Sequence, residues 1–340
     1  MNNILPTYPR SDLTFTHGKG SYLFEKSGEK YLDFGTGIAV NSLGYSHPYL
    51  NQKLNEQSEK LWHLSNVYKI PEQEILASRL CDLCFADYAF FCNSGTEAVE
   101  ASIKIARRYF YKTKNSKTKN EIISFSGSFH GRTIGALAAQ GPEKMNSFNT
   151  NVNDFKFLEF GDHELLKSSI SENTAAVLIE PVQGEGGVRE VPTFCLDAIR
   201  KLCDENDDLL IFDEVQCGMG RTGKMFAYQW SNIEPDIMTI AKAIGNGFPI
   251  GACLTSKKVG DAMEFGSHGS TFGGNPLACS VGNAVLDLMT SSKFFSEVIT
   301  VSEKLLLDLN KVANDYPDII EGIRGKGFIL GLKCNINNED

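Results

Sequence analysis

Two apolar segments, each ending in a charged residue, constrain the fold of this chain more than any other feature. The segment Leu209–Asp213 ends in a carboxylate, and the segment from Ile237 reaches Lys242 just before a glycine-rich stretch. Apolar runs of this kind are typical of buried parallel strands, and open α/β sheets bind ligands at the carboxyl ends of such strands. We therefore expect Asp213 and Lys242 to lie at the same edge of a mainly parallel sheet.

The chemistry of this pair favours a carbonyl cofactor. An apolar approach leaves the amine of Lys242 partly desolvated, which lowers its pKa and makes it a nucleophile. Pyridoxal 5'-phosphate (PLP) requires a lysine for its Schiff base and an acidic partner for its pyridine nitrogen. Lys242 and Asp213 supply both groups. Taken alone, Lys242 is better explained as an ordinary solvated lysine, so the PLP interpretation depends on the other motifs.

A nucleotide-binding site is the alternative from a different class of protein. Residues 218–224 match the G-x-x-x-x-G-K part of a P-loop, and an acid after an apolar strand also resembles a Walker B element. Two features argue against this interpretation. Met225 offers no hydroxyl for Mg²⁺, and the segment follows the acidic strand, whereas a Walker A motif precedes it by a strand and a helix. An ATPase is therefore the weaker alternative.

An anion-binding site is predicted where the apolar stretch Tyr88–Cys92 leads into a helical pattern. Ser94 is a favourable helix N-cap, and the next two residues, Gly95 and Thr96, have backbone N–H groups without partners inside a helix. With the positive end of the helix dipole, these groups bind phosphate, and glycine lets the phosphate approach closely. A plain helix cap satisfies the same pattern, so the motif is not specific by itself.

A glycine-punctuated loop follows the apolar stretch Glu121–Phe125. It contains Phe129, which could stack on a flat ring, and Arg132, which could hold a carboxylate through two parallel hydrogen bonds. A packed phenylalanine beside a solvated arginine explains the same residues about as well.

Two other glycine-rich segments carry polar side chains. Glu185 follows the apolar residues 175–179, which again places an acid near the carboxyl end of a strand, although a solvated loop is the simpler interpretation. Residues 268–276 carry the hydroxyls of Ser270 and Thr271. These hydroxyls could donate to a phosphate, or the segment could merely form a loop.

Taken together, these motifs resemble those of the class III aminotransferases, PLP enzymes of fold type I. They occur in the family's order as NSGTEA, SFHGRT, EPVQGEGG, IFDEVQCGMGRTG, IAKAIGNGFPIGA and HGSTFGGNP, and the resemblance spans nearly the whole chain. It implies an α/β fold, in which a large PLP-binding domain with a mainly parallel sheet is joined by a smaller α+β domain from the chain ends. It also implies an enzyme that transfers amino groups.

The N-terminal part of the chain narrows the resemblance to family members that act on N2-acetylornithine. It is similar to them at residues 32–34, 37–41, 47–48 and 61–66. Members that act on ornithine typically have a tyrosine where Gly37 stands, and its absence predicts a pocket for an acylated amino group. The implied reaction moves the distal amine between N2-acetylornithine and 2-oxoglutarate in arginine biosynthesis. Succinyl-diaminopimelate, ornithine and 4-aminobutyrate remain alternative substrates.

The resemblance also implies the residues that contact the cofactor ring. Lys242 would carry the cofactor, and Asp213 would pair with the ring nitrogen. Gln216 would bond to the 3-oxygen of the cofactor, while Phe129 and Val215 would enclose the ring.

The remaining implied contacts concern the phosphate and the substrate. Within one subunit, the phosphate would be bound by Ser94, Gly95 and Thr96. The partner subunit of a homodimer would supply Thr271 to the same phosphate. The substrate would be contacted by Arg132, Ser270 and Glu185. Glu185 would act as a switch by pairing with a second arginine, which in the family lies in the C-terminal region.

Composition excludes several other classes of function. The formal net charge of -9, from 33 basic and 42 acidic residues, argues against nucleic-acid binding. Nine cysteines at irregular spacing indicate a reducing, cytoplasmic compartment, and Cys81 and Cys84 are expected to be core thiols within a helix. The histidines show no metal-binding spacing, so no metal is expected. No apolar run is long enough for a bilayer, and the polar start at Met1 is not typical of a signal peptide.

The domain organisation follows from the resemblance. Residues 1–60, which include a hairpin between about 22 and 34, are expected to form the N-terminal part of the small domain. Residues 61–284 would form the large PLP-binding domain, with alternating strands and helices. Residues 285–340 would begin the C-terminal part of the small domain, and the rest of that family region would lie beyond Asp340.

Overall fold

The computed structural model describes residues 3–150 and 152–336, so Met1 and Asp340 lie outside the described residues. The N-terminal elements are β1 (Phe15–Lys19), β2 (Tyr22–Glu25), β3 (Lys30–Leu32), α1 (Thr36–Ala39), α2 (Pro48–Ser58) and α3 (Pro71–Asp82). The central elements are β4 (Tyr88–Cys92), α4 (Gly95–Thr113), β5 (Glu121–Phe125), α5 (Ile134–Ala138), α6 (Pro142–Asn146), β6 (Phe155–Leu158), α7 (His163–Ser169), β7 (Thr174–Ile179), β8 (Val182–Gln183), β9 (Arg189–Glu190), α8 (Thr193–Asn206), β10 (Leu209–Asp213), β11 (Ile237–Ile240), β12 (Gly251–Thr255) and α9 (Lys257–Gly260). The C-terminal elements are α10 (Pro276–Met289), α11 (Phe294–Asp315), β13 (Ile320–Lys326) and β14 (Ile329–Cys334).

A seven-stranded sheet with the order β4-β12-β11-β10-β7-β5-β6 forms the centre of the molecule. The neighbours from β11 to β6 pair in parallel, and β12 runs antiparallel to both β11 and β4. The expected mainly parallel α/β sheet is therefore confirmed. The exception has a simple cause, because only a short loop joins β11 to β12 and a parallel pair needs a crossover of a dozen or more residues.

Alternation along the central strands distributes their side chains between two apolar layers. In β10, Leu209 and Ile211 pack with Phe110 of α4 on one face of the sheet, whereas Leu210 and Phe212 pack with α8 and α10 on the other. All residues of β7, β10, β11 and β12 are buried, as expected when helices cover both faces. These continuous apolar strands hold the loops at the carboxyl edge of the sheet.

The chain ends form small antiparallel sheets. The expected hairpin is confirmed by the pairing of β2 with β3, and β1 adds a third strand. β13 pairs with β14, and Phe328 between them donates its N–H to the carbonyl oxygen of Arg221 at 2.9 Å. The division of the chain into residues 1–60, 61–284 and 285–340 stays a prediction.

The P-loop interpretation of residues 218–224 is wrong. The segment forms successive turns, and the next helical element is a 3-10 turn at Ala227–Trp230, whereas a P-loop opens a helix directly. Lys224 is also engaged elsewhere, since its Nζ donates to the carbonyl oxygen of Gln229 at 2.6 Å and lies 4.6 Å from the ring centre of Trp230.

All nine cysteines are free. Cys81 lies in α3 as expected, whereas Cys84 lies two residues beyond its end, and both are only partly buried. Over the described ranges, the structure contains no helix that is both long enough and apolar enough to cross a membrane.

Candidate active site

A cavity of about 410 Å³ opens at the carboxyl edge of the large sheet. The predicted site residues that line it are Ser94, Gly95, Thr96, Phe129, Arg132, Glu185, Asp213, Val215, Gln216 and Lys242. Ser270 and Thr271 are not among the lining residues. The structure therefore brings together, from five separate loops, nearly all the residues that the sequence motifs suggested.

Lys242 reaches the cavity directly after β11. Its φ of +51° is in the left-handed region, which is strained for a residue with a side chain and is typical of functional positions. Burial lowers the pKa of its amine, while the charges of Asp213, Glu185 and Glu180 oppose that shift. A larger fraction of the amine is therefore neutral near physiological pH than in a solvated lysine.

Asp213 is fixed by three donors at the end of β10. Its Oδ1 accepts the hydroxyl of Thr239 at 2.9 Å and the N–H of Val215 at 3.1 Å, and its Oδ2 accepts Nδ1–H of His130 at 2.7 Å. The carboxylate is only 2 % exposed. Such a carboxylate can pair with a positively charged group inside the cavity without turning away.

His130 and Glu180 also line the cavity, although the sequence motifs indicated no role for either residue. Burial and the nearby charge of Asp213 raise the pKa of Glu180 well above its usual range. His130 Nε2 and Glu180 Oε2 are buried without a partner among the described residues. His130 stands next to Phe129 in one loop, which was a usable signal, but nothing in the sequence indicated its bond to Asp213.

The first turn of α4 forms the predicted anion-binding cup. Ser94 Oγ accepts the N–H of Glu97 at 3.4 Å, and Glu97 Oε2 accepts the N–H of Asn93 at 2.5 Å, so the two ends of the turn brace each other. Across residues 3–150 and 152–336, the N–H groups of Gly95 and Thr96 form no hydrogen bond. A Cβ at Gly95 would be 2.6 Å from Val215 Cγ1, so only glycine allows this close packing.

Arg132 lies exposed at the mouth of the cavity, with its guanidinium 5.0 Å from the ring centre of Phe129. Another polar contact at the cavity joins Gln216 to the exposed Glu185, since Gln216 Nε2 donates to Glu185 Oε1 at 3.2 Å. In this arrangement the amide of Gln216 faces Glu185, and a Cβ at Gly184 would overlap Gln216 Oε1.

Ser270 and Thr271 lie beside the cup rather than in the cavity. Ser270 Oγ accepts Asn93 Nδ2–H at 3.3 Å, and Thr271 is exposed. The substrate role of Ser270 and the reach of Thr271 into a partner subunit stay predictions.

These residues fit PLP by the chemistry of their polar groups. The cavity contains an amine of lowered pKa at Lys242, a buried carboxylate held by three donors at Asp213, and two N–H groups at the start of α4 that form no hydrogen bond with described residues. These are the groups needed for a carbonyl, a pyridine nitrogen and a phosphate, respectively.

Comparison with known proteins agrees with this geometry. The family model described as Aminotransferase class-III matches residues 7–340. The chain therefore belongs to the class III aminotransferases, which are PLP-dependent enzymes.

The individual relatives are more specific. The chain is 51% identical to a protein named acetylornithine aminotransferase from Mesorhizobium japonicum, over 98% of this chain and 83% of that protein. It is similar to the crystal structure of N-acetylornithine aminotransferase from Stenotrophomonas maltophilia, with 36% identity, a TM-score of 0.81, and coverage of 94% and 79% of the two chains. It also resembles the ornithine aminotransferase from Toxoplasma gondii, with 29% identity, a TM-score of 0.93, and coverage of 98% and 80%. The backbone fold thus does not separate the two substrate specificities.

Proposed function

We propose that this chain is an acetylornithine aminotransferase, which uses PLP to move the distal amino group between N2-acetylornithine and 2-oxoglutarate in arginine biosynthesis. The observation that carries the proposal is the meeting of Lys242, Asp213 and the exposed Arg132 in one cavity. The 51% identity to a relative of that name supports the choice of substrate.

PLP, when bound, supplies the carbonyl carbon that takes up the amino group and a ring that withdraws electrons. Lys242 would hold it covalently, and its Nζ, once free and neutral, would accept a proton from the substrate carbon and return it. The negative charge of Asp213, held by His130 and Thr239, would keep the ring nitrogen protonated. The N–H groups of Gly95 and Thr96, with Ser94, would bind the phosphate.

Aromatic and apolar side chains would hold the ring between them. Phe129 and Val215 both face the cavity, and Gln216 would bond to the 3-oxygen after turning from Glu185. These contacts would exclude water from the ring faces, which strengthens every electrostatic interaction there.

Arg132 would recognise the substrate by its carboxylate. Its guanidinium forms no ion pair with any residue that the structure describes, and it lies at the entrance of the cavity. Both N2-acetylornithine and 2-oxoglutarate carry a carboxylate that this fork could bind through two charge-assisted hydrogen bonds. Ser270 and Glu185 would complete the substrate pocket, with Glu185 moving between its partners.

We infer that the enzyme works as a homodimer with shared active sites. Large apolar side chains are exposed near the cup, among them Trp62 (65 % exposed), Val67 (83 %) and Phe272 (58 %). Single exposed apolar residues are normal, but a group of this size next to a site favours contact with a second subunit. Thr271 adjoins Phe272 and would reach the partner's phosphate. Nine free cysteines support a cytoplasmic location.

Ornithine is the second candidate substrate, because the fold matches an ornithine aminotransferase with a TM-score of 0.93. Measurement of kcat/KM distinguishes the competing substrate assignments. The panel contains N2-acetylornithine, ornithine, succinyl-diaminopimelate and 4-aminobutyrate. We expect N2-acetylornithine to be preferred by at least about tenfold, a difference of about 1.4 kcal/mol. A preference for free ornithine would overturn the substrate assignment while leaving the class intact.

The cofactor assignment is tested by borohydride reduction of the purified protein followed by peptide mapping. Reduction should fix the cofactor to Lys242, and Lys242→Ala should abolish transamination while the phosphate contacts remain. Labelling of any other lysine would show that the central assignment is wrong.

A further inference from the structure

Helix α4 carries, besides the predicted phosphate cup, two polar side chains that hold the loop of Arg132. Thr96 lies in the first turn and Glu100 one turn later, and residues four apart lie on the same face of a helix. Neither side chain has a role in the function described above. Both are turned to residues 131–136, the segment that leads from Arg132 into α5.

The hydroxyl of Thr96 holds the backbone of Arg132 itself. Thr96 Oγ1 accepts the N–H of Arg132 at 3.2 Å and that of Thr133 at 3.3 Å, and it lies 3.0 Å from Thr133 Oγ1. The loop comes so close to the helix that a Cβ at Gly131 would be 2.2 Å from Thr96 Oγ1. Gly131 also has a φ of +129°, which L side chains rarely adopt.

Glu100 secures the other side of Arg132. A single oxygen, Oε1, accepts the hydroxyl of Thr133 at 2.5 Å and the N–H groups of Gly135 at 2.9 Å and Ala136 at 3.1 Å. Hydrogen bonds to an ionised carboxylate are roughly twice as strong as neutral ones. These three donors belong to residues 133–136, which follow Arg132 in the chain. The carboxylate of Glu100 therefore fixes the position of the Arg132 Cα.

The side chain of Arg132, in contrast, makes few contacts with other residues that the structure describes. It is exposed, and its guanidinium lies 5.0 Å from the ring centre of Phe129. The position of the guanidinium therefore depends on the backbone anchors at Thr96 and Glu100. A displacement of about 1 Å in a binding group can cost about a hundredfold in rate.

We propose that Glu100, with the hydroxyl of Thr96, positions Arg132 to bind the substrate carboxylate. Selectivity for carboxylate-bearing substrates is then set by the same helix whose N-terminus binds the cofactor phosphate. Glu100 is a positioning residue, since it touches neither cofactor nor substrate. The inference rests on the proposed role of Arg132.

The test compares two amines in single-turnover reactions with the cofactor-loaded enzyme and no oxo acid. One is N2-acetylornithine, and the other is N-acetyl-1,4-diaminobutane, the same molecule without its carboxylate. Glu100→Ala should weaken apparent binding of N2-acetylornithine by about 10- to 100-fold and change that of the carboxylate-free amine by less than about threefold. Glu100→Gln keeps an oxygen that can accept these hydrogen bonds, so it should restore most of the loss.

Two further measurements keep the result interpretable. The dissociation constant of PLP, measured by fluorescence titration, should change by less than about twofold in Glu100→Ala, because the cup is not altered. If Glu100→Ala does not fold, Thr133→Val provides a milder variant that removes a hydroxyl bonded to both anchors. It should show a smaller loss that is again confined to N2-acetylornithine.

A double-mutant cycle with Arg132→Ala separates this inference from the proposed function. If Glu100 acts through Arg132, Glu100→Ala should cause almost no further loss in the Arg132→Ala background. Additive losses, or equal losses on both amines, would overturn the positioning role while the role of Arg132 stands. If Arg132→Ala itself affects both amines equally, the substrate role of Arg132 is wrong, and the positioning role falls with it.

Discussion

The imidazole of His130 donates from Nδ1 to Oδ2 of Asp213 at 2.7 Å, and both side chains are buried. This bond leaves Nε2 of His130 as the remaining ring nitrogen, without a partner among the described residues. His130, in the loop after β5, therefore fixes the orientation of the Asp213 carboxylate at the end of β10. The orientation of the predicted ring-nitrogen partner thus depends on a residue 83 positions away in sequence.

Replacing Asp213 by asparagine should reduce kcat strongly. The amide keeps the shape but loses the negative charge that would stabilise the protonated ring nitrogen. We expect a fall of roughly two orders of magnitude or more, as for other electrostatic groups in active sites. Steady-state kinetics measures it, with Thr239→Ser as a control that retains the hydroxyl donor to Asp213. Activity within a few-fold of wild type would remove Asp213 from this role.

Arg132→Lys should raise KM for N2-acetylornithine and for 2-oxoglutarate. A point charge poorly replaces a fork that makes two hydrogen bonds, and the loss of one charge-assisted bond should lower kcat/KM by about 1.5 to 3 kcal/mol. Amines without a carboxylate serve as the control and should be affected much less. Equal losses on both kinds of amine would mean that Arg132 supports the fold or the cofactor instead.

Subunit complementation tests whether Thr271 completes the partner's site. Lys242→Ala and Thr271→Asp homodimers should each be nearly inactive, the second because a carboxylate would repel the phosphate. Mixed dimers would contain one intact site, with Lys242 and Thr271 coming from different subunits. Activity should therefore return when the two variants are unfolded and refolded together. No recovery, or active monomers in light scattering, would contradict the shared site.

The amine of Lys242 should titrate below the ordinary lysine value of about 10.4 in the cofactor-free protein. Burial is the main cause, so protonation costs stability as the pH falls. Competitive acylation with acetic anhydride across a pH series measures the value, with a lysine model peptide as reference. Lys242→Met should raise the Tm of the cofactor-free protein at neutral pH, and less so in alkali. A titration at or above the reference would contradict the desolvated site.

Glu214 should make stability depend on pH. Burial raises its pKa to about 8, although both oxygens accept backbone N–H groups, from Ala227 at 2.6 Å and Tyr228 at 2.8 Å. The folded value lies above the ordinary one of about 4.3, so this contribution is complete below about pH 4 and is lost as the pH rises toward about 8.

Glu214→Gln removes the titrating group and should flatten this dependence. Between about pH 5 and pH 9, the wild-type free energy of unfolding should fall by roughly 2 to 4 kcal/mol relative to the variant. Denaturant unfolding at both pH values measures it. Parallel pH profiles of the two proteins would show that Glu214 does not titrate in this range.

Much of the fold was predictable because its signals are local. The strands at Tyr88–Cys92, Leu209–Asp213 and Ile237–Ile240 lie where the apolar runs placed them. The antiparallel strand Gly251–Thr255 was not foreseen, because the direction of a strand depends on its partners and its connection. The first strand, Phe15–Lys19, was missed because most of its residues are exposed and form no apolar run.

The sequence by itself determined which groups are the candidates for the chemistry: an amine at Lys242, a carboxylate at Asp213 and a predicted anion cup after Ser94. Their order along the chain and the apolar runs before them are local properties of the sequence. They can be recognised without knowing which segments make contact in the fold. Only the tertiary structure decided how these groups are held. His130 meets Asp213, and Glu100 meets the loop of Arg132, across 83 and 33 to 36 positions. Such pairs form because strand order and loop packing bring distant segments together, and no pattern in the sequence encodes that distance.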